Sequence, residues 1–315
     1  MGWTADDIPD QSGRTIVITG ANSGIGLEAT RELARNGATV IMACRSTERG
    51  ADAADGIRED IPGADLRVEA CDLGDLASVR DFAARLEESI DVLINNAGVM
   101  AIPRSETDDG FETQFGVNHL GHFALTGLLL ENLGLETEPD SRVVTVSSGV
   151  HENGKIDFDD LQHEDGYDKW DAYAQSKLAN VLFAYELERR LLTADANAAS
   201  MAVHPGYANT QLQLRGPEQS GSRLRKAAMR VLNTVAAQSA AMGALPTLYA
   251  ATAPEAEGGA YYGPGGLMNM RGTPERQASS DRSYDEDTAR RLWRVSSELT
   301  GVTYDLPTPA ADVPA

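Results

Sequence analysis

The sequence predicts an α/β fold, a single doubly wound domain around a mostly parallel seven-stranded sheet. Three observations lead there. From Arg14 to about Thr210, short β-branched runs alternate with longer helical patterns; the runs are apolar nearly throughout; and no internal repeat or low-complexity linker interrupts them. Near-continuous apolar character fits strands buried on both faces.

The runs TIVIT, ATVIM, LRVEAC, DVLIN, RVVTVSS and SMAVH read as six strands, and GAYY, near Gly259, as a weaker seventh. Helical spacing recurs from Ile25 to Asn36, Asp75 to Glu88, Asp109 to Leu133 and Ala172 to Leu192, and again near Glu286 to Leu299. With 315 residues the chain has ample length for one large core. The expected organisation is a poorly ordered segment over 1–13, the domain over 14–302 and a poorly ordered tail over 303–315. Residues 211–234, a polar loop leading into the basic patch SRLRKAAMR, break the rhythm after the sixth strand and form a candidate substrate lid.

Composition narrows the class. The formal charge of −21 argues against a nucleic-acid partner. The lysines are Lys155, Lys169, Lys177 and Lys226. An acidic excess with so few lysines resembles proteins from salt-accumulating organisms; an ordinary acidic cytosolic enzyme is the other reading. Cys44 and Cys71 each close an apolar run, the setting of neither a disulfide framework nor a metal site, so a reducing, cytoplasmic interior is expected. His119, His122, His151, His163 and His204 form no spaced ligand cluster, and no metal is expected. The N-terminus is acidic without an apolar stretch, and no run approaches the roughly 18 apolar residues of a membrane span. A homodimer is compatible with these features.

The first strand runs into TGANSGIG, and a helical pattern follows directly. Glycines let a backbone turn tightly and approach a pyrophosphate, while the helix presents free N–H groups and its positive end to that anion. Gly20, Asn22, Ser23, Gly24, Ile25 and Gly26 are the candidate contacts, which makes the fold Rossmann-type. No Gly-Lys-Ser/Thr follows, which excludes a P-loop. The second strand ends Ala43-Cys44-Arg45 without a carboxylate. A guanidinium there can fork onto a ribose phosphate, so NADP(H) is preferred and NAD(H) remains open, with Arg49 a second partner. Asp72 ends the third strand and can accept from an adenine amino group or cap the next turn; both readings stand. Asn95, Asn96, Ala97 and Gly98 end the fourth, where small residues permit close passage of a cofactor or serve a turn.

Tyr173 and Lys177, four residues apart, share one face of a helix, and Ser148 ends the fifth strand. A tyrosine near pKa ~10 is a poor acid/base at neutral pH, so the expectation is a site that lowers it by ~2 to 3 units. One cation about 5 Å away at an effective dielectric near 20 supplies roughly 3 kcal/mol, so Lys177 assisted by an oxidised nicotinamide ring suffices in principle.

TGANSGIG, NNAG, the Asn of GVNHLGHF, VSS, YAQSK and HPG, in this order, resemble the short-chain dehydrogenase/reductase family over about Arg14 to Thr210. The long interval between Ser148 and Tyr173 and the downstream MRGTP and LWRVSSELTGV look like its retinol-dehydrogenase-like and WW-domain-oxidoreductase-like branch. The resemblance implies hydride transfer between nicotinamide and a small carbonyl or alcohol. It assigns Tyr173 as proton donor and acceptor, Ser148 as partner of the substrate oxygen in preference to Ser147, and Lys177 as partner of the nicotinamide ribose. Asn118 would hold a relay water, and Pro205, Gly206 and Thr210 would grip the nicotinamide end. Trp170, Leu212 and Leu214 suggest an apolar ligand or simple packing. A non-catalytic redox-sensing or scaffold protein would predict loss of Tyr173, Lys177 or Ser148, and all three are present. An epimerase-like enzyme would have a different glycine spacing and a larger substrate domain.

Overall fold

A computed structural model of the chain describes residues 2–135, 141–206, 239–266, 269 and 271–309. One sheet organises them. Its strands are β1 (Thr15–Thr19), β2 (Thr39–Cys44), β3 (Leu66–Ala70), β4 (Val92–Asn95), β5 (Ser141–Val146), β6 (Ala198–Val203), β7 (Tyr261–Pro264) and β8 (Pro274–Gln277). They lie in the order β3-β2-β1-β4-β5-β6-β7-β8. The first seven are parallel, and β8 adds an antiparallel edge, pairing Tyr261 with Gln277 and Pro264 with Pro274. The sheet thus has eight strands where seven are predicted. The additional strand, PERQ, is mostly solvent-facing and carries no apolar run, which suits an edge but hides it from hydrophobic patterning.

Side chains alternate across each buried strand. Ile16 and Ile18 of β1 and Val40 and Met42 of β2 join one core, while Val17 and Ile41 join the other. The first core is closed by α1 (Gly24–Arg35), α2 (Thr47–Asp60) and α7 (Ala240–Thr252). The second is closed by α3 (Leu76–Arg85), α5 (Gly121–Leu128), α6 (Lys169–Thr193) and α8 (Glu286–Thr300). Between α4 (Thr113–Phe115) and α5 the chain makes a π-helical turn, Gly116–Leu120. Cys44 belongs to the first core and Cys71 to the second, so the free thiols lie on opposite sides of the sheet.

Both ends pack more than the sequence suggests. In the segment before Arg14, Ile8 is buried in the first core and Trp3 meets Tyr249 edge-on at 5.3 Å. Beyond residue 302, Tyr304 is buried beside Trp293 and donates its hydroxyl to the Phe123 carbonyl at 2.6 Å. Isolated aromatic and apolar residues in polar tails carry these contacts, and a reading of periodicity misses them. Residues 211–234, with Thr210, Leu212 and Leu214, lie outside the described residues. Among the described residues no helix is long and apolar enough to cross a membrane.

Candidate active site

The strand order reverses between β1 and β4, and in open α/β sheets that reversal opens a crevice at the carboxyl ends of the strands. Here the crevice holds a cavity of about 420 Å³. One end is the turn from β1 into α1. Gly20 and Gly24 adopt φ of +66° and +57°, conformations costly for any other residue. A Cβ on Gly26 would lie 2.5 Å from both the Gly20 carbonyl oxygen and Asn96 Nδ2, so the turn closes only with glycine there. Ser46, Asp75, Asp168, Ser239 and Asp285 each accept a first-turn N–H of the helix they precede. Ser23, ahead of α1, makes no such bond. The helix end facing the cavity therefore lacks the side-chain acceptor that those five helices have. Gly20, Asn22, Ser23, Gly24, Ile25 and Gly26 all line the cavity.

Arg45 and Arg49 line the same end, both exposed, and among the described residues neither forms an ion pair. Asp72 lines the wall while its Oδ1 accepts from Gly74 N–H at 3.0 Å, so the turn reading holds for one of its oxygens. Ala97 and Gly98 line the cavity; Asn95 does not. As the last residue of β4, Asn95 turns its amide to the opposite face, where Nδ2 donates to Thr126 Oγ1 at 3.0 Å. Its neighbour Asn96 faces the cavity instead.

At the other end stand Ser148, Tyr173, Lys177, Pro205 and Gly206. Asp168 caps α6, whose first three turns carry Tyr173 and Lys177 against β5. Ser148 stands near enough to Tyr173 that its hydroxyl draws the phenol's pKa downward. Ser147 points away and donates to the Lys177 carbonyl at 2.7 Å, which leaves Ser148 beside the phenol. Lys177 Nζ donates to the Val146 carbonyl at 2.9 Å and lies 5.9 Å from the Tyr173 ring centroid. Trp170 meets Tyr173 edge-on, with centroids 6.3 Å apart, and also lines the cavity.

Asn118 sits in the π turn. Its Oδ1 accepts from Val99 N–H at 2.8 Å, and its Nδ2 donates to the Val99 carbonyl and to Ser176 Oγ, each at 2.9 Å. With both amide protons used, a relay water on Asn118 would have to rest on an acceptor such as the backbone carbonyl. That carbonyl lies 2.9 Å from His122 Nδ1. A carbonyl only accepts, so His122 is protonated on Nδ1, and Nε2 takes the hydroxyl proton of Thr19 at 2.8 Å. Thr19 Oγ1 in turn accepts from the N–H groups of Asn96 and Ala97 at 2.9 and 3.0 Å. Thr19 and His122 thus tie the glycine turn to the strand end and the π turn. Sequence reasoning missed both; the only signal was that His122 stands one helical turn beyond Asn118.

Burial sets the electrostatics. Tyr173 is pushed up to about 12 by desolvation, against a pull downward from Ser148, and Lys177 is pulled down to about 8 by desolvation. The chain's own groups keep Tyr173 protonated; the expected lowering draws on Lys177 together with an oxidised nicotinamide ring. Burial likewise draws His122 down to about 4, so it stays neutral.

The uncapped helix end, the glycine cradle and the two arginines free of ion pairs suit a dinucleotide phosphate, and the Tyr173 end suits a group that accepts a proton. Comparison with known proteins agrees. The model of the short chain dehydrogenase family matches residues 14–220. Human retinol dehydrogenase 13 is 42% identical over 296 residues, covering 92% of this chain and 85% of that protein. Mouse retinol dehydrogenase 12 is 44% identical over 298 residues, covering 93% and 88%. A crystal structure from Mycobacterium paratuberculosis is 44% identical, with a TM-score of 0.81 over 97% of this chain and 100% of that one. An actinorhodin polyketide ketoreductase solved with NADPH, at 23% identity and a TM-score of 0.61 over 79% of this chain and 94% of that one, shares the fold.

Proposed function

The chain belongs to the short-chain dehydrogenase family, in its retinol-dehydrogenase-like branch, and on that premise we propose that it is an NADP(H)-dependent reductase of apolar carbonyl compounds. That it is an NAD(P)-dependent dehydrogenase acting on CH–OH groups follows from the family. The preference for NADP(H), the apolar substrate and the direction are the proposal. One observation carries it: a single cavity has Arg45 and Arg49 at one end and the Ser148–Tyr173–Lys177 group at the other.

NADPH supplies the hydride when bound. Arg45 and Arg49 would hold its ribose phosphate, and Lys177 its nicotinamide ribose. Ser148 donates to the substrate carbonyl oxygen and orients it. Tyr173 Oη then hands its proton to that oxygen as negative charge develops there. Burial keeps the Tyr173 proton in place at neutral pH, the state from which it is donated. Lys177 stabilises the phenolate left behind; a unit charge about 6 Å away at an effective dielectric near 20 supplies roughly 3 kcal/mol. Val99, Met100, Val150 and Trp170 give the wall beside Tyr173 an apolar character. This supports a hydrophobic substrate, as do relatives named for retinol. The test is a panel of retinal, steroid ketones and short aldehydes assayed with NADPH and with NADH. The proposal expects turnover of the apolar members with NADPH, and turnover with NADH alone would contradict it.

A further inference from the structure

Two buried histidines outside the catalytic group have tautomers fixed in opposite senses by their partners. His151 lies in the 3-10 turn Gly149–Asn153, three residues after Ser148. Its Nδ1 is 2.8 Å from the Ser148 carbonyl, and its Nε2 accepts from Ser280 N–H at 3.0 Å. A carbonyl only accepts and an amide N–H only donates, so the proton is on Nδ1. His204 follows β6. Its Nδ1 accepts from Gly206 N–H at 3.3 Å, and its Nε2 lies 2.9 Å from Gln277 Oε1. The Gln277 amide is oriented by its own Nε2, which donates to the Pro264 carbonyl at 3.0 Å, so here the ring proton is on Nε2.

Tyr261 of β7 stands between the two rings. It stacks on His204, with centroids 5.1 Å apart and planes at 17°, and meets His151 edge-on, also at 5.1 Å. The His204 ring fills the space over Gly263, where a Cβ would lie 1.8 Å from its Nε2, so β7 tolerates only glycine at that point. At the far end of the Ser148 turn, Arg282 donates to the Gly154 carbonyl at 2.9 Å.

We propose that His151 and His204 are positioning residues through which the β7–β8 hairpin and the turn after it hold two walls of the substrate end, the Ser148 turn and the Pro205–Gly206 turn. Ser148 sets its hydroxyl against substrate from a backbone whose carbonyl is anchored by His151. Gly206, at φ +65°, holds its turn through the bond to His204. The polar edge strand, which contributes little to either core, thereby gains a role in catalysis. The inference rests on the reading of Ser148 as the group that orients the substrate oxygen.

Isosteric substitutions separate the Ser148 and Ser280 bonds of His151, whose Nδ1 also lies 3.3 Å from the Tyr261 hydroxyl. In His151→Asn an amide N–H replaces Nδ1–H toward the Ser148 carbonyl and the Ser280 bond is lost. In His151→Gln the longer amide reaches Ser280 and the Ser148 bond is lost. Steady-state carbonyl reduction, NADPH dissociation constants and thermal melts are measured for both, alongside Ser148→Ala. The expected result is kcat within about threefold of the parent for Asn and lower by about tenfold or more for Gln, with NADPH affinity unchanged in both. Equal kcat in the two variants, together with a large loss in Ser148→Ala, would overturn this inference alone. Full turnover in Ser148→Ala would overturn the reading of Ser148 and this inference with it. For His204, replacement by Phe removes the bond to Gly206, and weaker NADPH binding with a smaller change in kcat is expected. A fall in melting temperature with both constants unchanged would reduce His204 to a packing residue and overturn its half of the proposal.

Discussion

Lys177 and Asn180 donate to the same carbonyl, that of Val146, at 2.9 and 3.0 Å. One peptide group at the end of β5 therefore fixes the buried ammonium near the Tyr173 ring, and the last turn of geometry comes from a residue one helical step beyond the lysine. Because burial draws Lys177 down to about 8, the cation is present below that pH and lost above it. The expected kcat/KM for carbonyl reduction is steady near neutrality and falls as pH rises through about 8. A pH–rate profile of the free enzyme checks this, and a flat profile from 7 to 9.5 would remove Lys177 from the proton economy of the site.

Arg45 and Arg49 face the cavity without ion pairs among the described residues. Arg45→Asp should weaken NADPH by about tenfold or more while leaving NADH unchanged or improved, because a carboxylate repels the 2′-phosphate and accepts from a ribose hydroxyl. Titrations with both cofactors decide it, and equal weakening of the two would make Arg45 structural.

His119 and His122 are fully buried, with burial drawing them to about 3 and about 4. In the unfolded chain both titrate near 6.5, so between roughly 6.5 and 4 the unfolded state binds more protons and folding stability falls as pH falls. Each contributes up to about 1.4 kcal/mol per pH unit within that window. Denaturant unfolding at pH 7, 6 and 5 measures the slope. His122→Asn should flatten it, and an unchanged slope would mean that His122 is not the group titrating.

A charge of −21 on one domain opposes compaction and repels an anionic cofactor. Screening shortens the Debye length from about 10 Å at 0.1 M to about 3 Å at 1 M. Melting temperature and NADPH affinity are expected to rise together over that range of KCl. A melting temperature that stays flat or falls would remove the salt-adapted reading of the composition.

Most parallel strands were legible because they are apolar runs buried on both faces, β3 with its pattern LRVEA at the sheet edge being the exception, and TGANSGIG announced its own turn through glycines that the backbone requires. What stayed hidden depends on contacts between distant segments. β8 is polar and pairs with β7 only after the sheet has formed. Tyr304 docks on Phe123 from a segment that resembles a tail. Asn95 carried the right identity at the right strand end, yet strand alternation turns it from the cavity and gives that place to Asn96. At Tyr173 the arithmetic of charges left out desolvation: burial of the phenol raises its pKa, an effect that neighbouring residue types alone do not display.

Tyr173→Phe tests the central assignment most directly, because it deletes one oxygen, keeps the ring against Trp170 and leaves Lys177 in place. Measured with NADPH and an apolar aldehyde, kcat is expected to fall by roughly 10² to 10⁴ while the NADPH dissociation constant changes by less than about twofold. Turnover at the parent rate in the folded variant would contradict Tyr173 as the proton donor, and with it the proposed mechanism.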